Sequence, residues 1–172
     1  MARSTRELVE DVPQVGRLTW IGVRSARRGP VESVPSVRAV AGLGLEGDHR
    51  AVRREPDPAA KRQVTLIQGE HLPVVAAIAG TDVAPADLRR NLVIEGVNLA
   101  SVHGRRFSIG TVVLEATGPC HPCSRMEETI GPGGFQAMRG HGGITARIVT
   151  DGTLAVGDEV RLLGDAPVGN DT

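Results

Sequence analysis

The 172-residue chain is nearly devoid of aromatic side chains: Trp20, Phe107 and Phe135 are all it has, and tyrosine is absent. That argues against the stacking platforms that hold single-stranded nucleic acid, and against an aromatic-lined sugar site. Lysine is almost missing as well. Lys61 is the only one among 20 basic residues, and the rest are arginine. The formal net charge is zero, so no global field draws the chain to nucleic acid or to an anionic membrane. No apolar run is long enough to span a bilayer. The opening stretch MARSTRELVEDVPQ lacks the apolar core of a signal peptide. There are two cysteines, Cys120 and Cys123, too few for a disulfide scaffold, so the expectation is a cytoplasmic protein with reduced thiols. The same scarcity leaves no cysteine cluster for an iron–sulfur centre. No G-x-G-x-x-G fingerprint of a dinucleotide-binding unit is recognised either.

What is present is an ordinary soluble balance, 40% hydrophobic and 23% charged, in a length suited to a core of its own. Short β-branched, alternating segments recur between glycines and prolines, as at Val15–Arg24, QVTLI, NLVIEG and RFSIGTVVLEAT. One helix is expected in QGEHLPVVAAIAG, where Pro73 sits in the first turn and Gly80 closes the last. AVRREPDPAAKR, with charges and prolines and no apolar face, reads as an exposed loop. Near the end, ARIVT and GDEVRLL flank Asp151-Gly152, which predicts a hairpin. The fold expected is mainly β: a barrel-like, mostly antiparallel domain over residues 1–165 with a few short helices, then a frayed tail at 166–172.

The stretch GPCHPCSRMEE carries both thiols, three positions apart, with a proline before each and His121 between them. It follows a strand and precedes a helical turn, the local setting of a reactive dithiol. Yet GPGGFQAMRGHGG breaks that helix within about two turns, whereas a redox dithiol of this kind wants a long helix behind it. Structural zinc wants four ligands, and the five histidines show no matching spacing. Burial as two small hydrophobes is a further reading, weakened by the surrounding Gly, Pro, His, Ser, Arg and Glu, which are not core neighbours. Other polar residues also stand where a loop meets a strand: Asp48 and His49 after a glycine turn, Arg62 before QVTLI, and Arg89, Arg90 and Asn91 before LVIEG. Barrel folds gather such loops at one mouth. Cys123, Arg62, Arg89 or Arg90, and His49 are therefore expected around one pocket. A thiolate beside arginines suits a ligand with a soft metal at one end and a phosphate at the other.

Five stretches, in order, are GLEGDHR, RQVTLIQGEH, DLRRNLVIEGVNL, FSIGTVVLEATGPCHPCSRME and GGITARIVTDGTLAVGDEV. Together they resemble the MOSC domain, the module at the C-terminus of molybdenum cofactor sulfurases that also occurs as stand-alone bacterial proteins. The resemblance covers roughly residues 40–162. It implies a β-barrel-like fold and binding of molybdenum cofactor, with Cys123 as metal ligand or persulfide carrier and Cys120 as a secondary thiol. It further implies Arg62, Arg89 and Arg90 on phosphate or pterin oxygens and Asn91 and Asp48 at the pterin site. His49 or His121 would be the proton source, because histidine titrates near neutrality. Reduction of a small N-hydroxylated compound is the implied activity. A sulfur or cofactor carrier without turnover is the rival, and a dithiol oxidoreductase a third reading. The family's association with pyridoxal phosphate finds no anchor beyond Lys61, which lies in a loop. Electrons or sulfur would come from a partner, an electron-donor protein or a cysteine desulfurase.

Overall fold

The computed structural model describes residues 2–52 and 55–164. Helix α1 (Thr5–Glu10) opens the chain, closed at its N-terminus by a reciprocal box between Ser4 and Glu7. Strands β1 (Gly16–Val23), β2 (Glu32–Ser33), β3 (Ser36–Val40), β4 (Gly44–Leu45) and β5 (Val64–Gln68) follow. Helix α2 (His71–Ala79) and a 3-10 turn at Pro85–Leu88 lead to β6 (Leu92–Glu95). After a second 3-10 turn at Leu99–Val102 come β7 (Arg106–Ile109), β8 (Val112–Pro119), α3 (Arg125–Ile130), α4 (Gly134–Met138), β9 (Ile144–Ile148), β10 (Gly152–Ala155) and β11 (Glu159–Leu162). The tail expected at 166–172 lies outside the described residues.

Seven strands close into a barrel in the order β11-β7-β8-β9-β5-β6-β1, and β1 returns to β11. The fold is mainly β and mostly antiparallel, as expected; β5 and β6 are the one parallel neighbour pair in the ring. Parallel neighbours cannot be joined by a tight turn. Helix α2 and the 3-10 turn supply the crossover, a single βαβ unit in a chain that shows no such alternation elsewhere. Alternation sends Val64 and Leu66 of β5, Leu92 and Ile94 of β6, and Ile144 and Ala146 of β9 into one buried core with Leu18, Phe107 and Leu114. Each such aliphatic side chain, once buried, contributes roughly 1.5–3 kcal/mol. The barrel is therefore filled. A second, smaller cluster lies outside the wall, where Ile67 and Val93 meet Val75 of α2, Met126 of α3 and Met138 of α4.

The hairpin expected at Asp151-Gly152 does not form. β9 pairs with β5 and β8, β10 pairs with β3 in a separate three-stranded sheet, and β11 closes the barrel. Neither residue adopts the positive φ that a tight two-residue turn demands. Asp151 instead accepts from the Ala41 amide at 2.7 Å and lies 3.7 Å from Arg38. Gly152 is small because Val112 packs where its Cβ would stand. One string escapes the expectation of no dinucleotide site: Gly42 to Gly47 spells G-x-G-x-x-G. It runs from the turn before β4 through β4 into the turn after it, and among the described residues no helix directly follows to meet a pyrophosphate.

Candidate functional site

Because Val64, Leu66, Ile144 and Ala146 point inward, Thr65 and Thr145 between them point outward. They floor a cleft of about 610 Å³ on the flank of the barrel. The polar loops thus meet on the outside of the wall rather than at the expected mouth, since the interior is occupied by core side chains. The cleft is bordered by Cys123, Cys120, His121, Arg62, Arg89, Arg90 and His49, which the sequence places far apart. Eight arginines line it in all, and no described lining residue is acidic. Arg24, Arg27, Arg28, Arg62, Arg89 and Arg90 make no ion pair with a carboxylate among the described residues.

Arg90 organises one end. It is 6% exposed and its guanidinium donates to three carbonyls on three segments: Leu88 at 2.9 Å, Gly142 at 2.8 Å and Cys120 at 3.2 Å. Burial pulls its pKa below the ordinary arginine value, and Cys120 partly opposes this; it remains charged. The Cys120 amide donates to the Gly143 carbonyl at 2.8 Å. A side chain at Gly142 would collide with the Cys120 carbonyl oxygen, and one at Gly143, where φ is +80°, with that of Leu66. The two glycines therefore let the cysteine loop lie directly on the wall. Cys120 is 2% exposed, and Arg62 Nη2 donates to its Sγ at 3.2 Å. Thr117 ties the same strand end to the Lys61 carbonyl.

Cys123 differs: its side chain is exposed. The backbone turns there into α3, and the Met126 amide donates to the Cys123 carbonyl at 2.9 Å. Arg125 at the start of α3 pairs with Glu128. Arg89 is the one non-glycine described residue with positive φ, at +56°. Such a conformation costs on the order of 1 kcal/mol and persists where surroundings impose it. Here both terminal nitrogens of Arg89 donate to the Gly29 carbonyl at 3.3 Å, tying the loop after β1 to the turn before β6.

Two expected ligand contacts turn out to be scaffold. Asn91 spends its side chain on the protein: Oδ1 accepts from the Thr65 amide and hydroxyl, and Nδ2 donates to Gly22 O and to Asp48 Oδ2, all at 3.1 Å. Asp48, 2% exposed, also accepts from the amides of Arg24 and Arg50. Neither borders the cleft. Both fix the strand ends from which Arg24, His49 and Arg90 project. His49 Nδ1 lies 3.2 Å from Asp48 Oδ1 without hydrogen-bond geometry. Burial holds the His49 imidazole below its ordinary pKa; Asp48 opposes the shift, and Arg24 and Arg50 reinforce it. It is thereby kept neutral near pH 7, a poor acid. His121, exposed and beside Cys123, is unencumbered. The arginines of RSARRG, at 24, 27 and 28, were not singled out in the sequence, although Arg24 follows a strand just as Arg62 precedes one.

The sequence profile of the MOSC domain matches residues 47–161. The chain belongs to the MOSC family. The fold agrees with solved structures in this group. The YuaD protein of Bacillus subtilis superposes with a TM-score of 0.73 at 17% identity, over 86% of this chain and 95% of that one. YiiM from Geobacillus stearothermophilus gives 0.66 at 17% identity, over 90% and 77% of the two chains. YiiM from Escherichia coli gives 0.63 at 21%, over 87% and 70%. At these identities the likeness concerns the fold alone. No curated protein matches the chain.

MOSC domains are associated with molybdenum cofactor. The chemistry of this MOSC cleft fits such a group. Among the described residues no three His, Cys, Asp or Glu side chains cluster to hold a metal ion, so a metal seated here would bring ligands of its own and need only one thiol. A phosphate would meet guanidiniums that no carboxylate competes for. The volume lies in the range of small-molecule sites. Among the described residues no helix is long and apolar enough to cross a membrane.

The depressed imidazoles carry a pH signature. Burial is the first cause for His49 and again for His71, whose neighbour His141 adds to it. A base disfavoured in its charged form when folded binds its proton more readily when unfolded. Stability is then complete above the free imidazole value of about 6.5. It falls as the pH drops from there to the depressed folded values, and levels off below them. The thermal midpoint, followed by circular dichroism, should decline between pH 7 and 5, and the His49→Gln/His71→Gln double variant should decline less. Equal slopes in the two proteins would contradict this assignment.

Proposed function

We propose that this protein holds molybdenum cofactor in the arginine cleft, with the Cys123 thiolate as a ligand to the metal, and reduces a small N-hydroxylated compound there. The observation that carries this reading is one exposed thiol opening onto a cleft where Arg24, Arg27, Arg28, Arg62, Arg89 and Arg90 make no ion pair with a described carboxylate. Arg62 and Arg90, at the cysteine end, would hold phosphate or pterin oxygens, with Thr65 and Thr145 beneath them. When bound, the cofactor supplies a two-electron centre able to remove oxygen from an N–O bond. The balance is an N-hydroxy group plus two electrons and two protons giving the amine and water. His121 is the residue placed to deliver a proton at the cysteine end. His49, held neutral, would accept or donate a hydrogen bond without carrying charge. Pro119, Pro122 and Met126 line the same cleft and give it an apolar portion. The electrons would come from a donor protein reaching the open face of Cys123.

The exposure of Cys123 also suits a second reading, in which its sulfur is loaded as a persulfide by a cysteine desulfurase and passed on without turnover. Purification from a host that makes the cofactor separates the two. One molybdenum and one pterin per chain, with turnover of phenylhydroxylamine by reduced viologen, is the outcome expected of a reductase. Bound cofactor or cyanide-releasable sulfur without turnover would mark a carrier. Protein free of both molybdenum and pterin would refute the cofactor reading.

A further inference from the structure

The cleft holds more positive charge than one phosphate engages, and that charge lies along a line. In the order β5-β6-β1 of the wall, Arg62 precedes β5, Arg89 and Arg90 precede β6, and Arg24 follows β1. Neighbouring strands stand about 4.8 Å apart, so the backbone at Arg62 and that at Arg24 lie about 10 Å apart, on either side of the Arg89–Arg90 turn. Arg62 contacts Cys120 directly, and Arg90 donates to the Cys120 carbonyl. Arg24 belongs to the other end, beside Asp48, whose carboxylate is already taken by backbone amides and Asn91. Arg27 and Arg28 stand exposed on the loop after β1 and still border the cleft. That loop is fixed by the two bonds from Arg89 to Gly29 and by the turn from Gly29 to Ala26. Arg89 makes those two bonds from a backbone held at a φ of +56°. Burial disfavours the charged form of Arg24; the Asp48 carboxylate opposes this, and Arg89, Arg50 and Arg90 add like-charge repulsion. A set of cations held together at that cost is relieved by a bound anion.

We propose that the end of the cleft formed by Arg24, Arg27 and Arg28 is a second anion subsite, distinct from the Arg62–Arg90 end, and that it binds a carboxylate or phosphate carried by the substrate. The inference rests on the cofactor reading above for what fills the cysteine end. The substrate class becomes a small N-hydroxylated compound that also bears an anionic group. The same guanidiniums would equally accept a further phosphate of the cofactor itself, so the test must separate these sources.

Calorimetric titration with inorganic phosphate at low ionic strength does so without turnover. Cofactor-free protein should bind two phosphates per chain. Arg27→Gln/Arg28→Gln should lose one, and Arg62→Gln the other. A single phosphate, lost to the same degree in both variants, would overturn the second subsite. Cofactor-loaded protein should still bind one phosphate, and the Arg27/Arg28 variant none. No phosphate bound by loaded wild-type protein would assign both subsites to the cofactor and overturn the substrate proposal. In turnover, the KM for 4-hydroxylaminobenzoate should be about tenfold below that for phenylhydroxylamine, with the ratio near one in the Arg27/Arg28 variant; a ratio near one in wild type, or one that survives the substitutions, counts against it. Two phosphates on a protein that never takes up molybdenum would keep the subsite while removing the cofactor reading.

Discussion

Cys123→Ser should retain less than about a tenth of the molybdenum held by the wild-type protein, because a hydroxyl is a poor donor to a soft metal. Cys120→Ser should lose only a few-fold. The structure explains the difference. Cys123 is exposed at the cleft, free to meet a metal. Cys120 is 2% exposed and its sulfur already accepts from Arg62. Its amide and carbonyl are held by Gly143 and Arg90 regardless of the side chain. A serine there keeps an acceptor for Arg62 and leaves the loop in place, and outer contacts of this kind usually tune a site rather than make it. Both variants should fold, since one substitution is at an exposed position and the other is nearly isosteric. The measurement is molybdenum by mass spectrometry after identical loading, with circular dichroism as the check on folding. Equal loss in both would favour a dithiol mechanism that needs each cysteine. Full retention in Cys123→Ser would remove the thiolate from the site.

Arg90→Ala should destabilise the fold by about 4 kcal/mol, since it strips a charged donor from buried carbonyls at roughly 1.5–3 kcal/mol per bond, partly offset by water entering the space. For a chain of this length that corresponds to a drop of roughly 10 °C in thermal midpoint. The three carbonyls belong to the turn before β6, the cysteine loop and the glycines before β9. Losing their common partner frees the loop that carries both thiols, so cofactor retention should fall along with stability. Arg90→Lys should land between the two, because one ammonium cannot reach three acceptors that a planar fork serves in different directions. A midpoint within 2 °C of wild type for Arg90→Ala would mean that the guanidinium is held by the loop rather than holding it.

Much of this architecture could be read from the sequence, and the exceptions have physical causes. β-branched alternation located β1, β5, β6, β7 and β8, and the Pro73 and Gly80 signals bounded α2 within a residue or two. Asp151-Gly152 misled because the same two residues serve a sheet edge: a carboxylate for the Ala41 amide and a gap for Val112. The parallel pair β5 and β6 was hidden because one isolated crossover leaves no repeating pattern. At the site, Arg62, Arg89 and Arg90 stood out by position, each just before a strand, and all three border the cleft. Asn91 shared that position and Asp48 followed a glycine turn, yet the two side chains bond to each other. No local pattern tells an amide aimed at backbone from one aimed at a ligand. Arg24, Arg27 and Arg28 were masked by their loop, since an arginine run reads first as solvated surface. The flank location was latent in Thr65 and Thr145, polar residues alternating with core aliphatics on two strands of one wall.

In the proposed complex one protein sulfur, that of Cys123, ligates molybdenum in the arginine cleft. X-ray absorption at the molybdenum edge, on wild-type protein and Cys123→Ser loaded from the same cofactor preparation, tests it most directly. Ligation by Cys123 predicts one fewer sulfur neighbour around molybdenum in the variant, with the remaining sulfur shell unchanged. Identical sulfur shells in the two proteins, at equal molybdenum content, would contradict it.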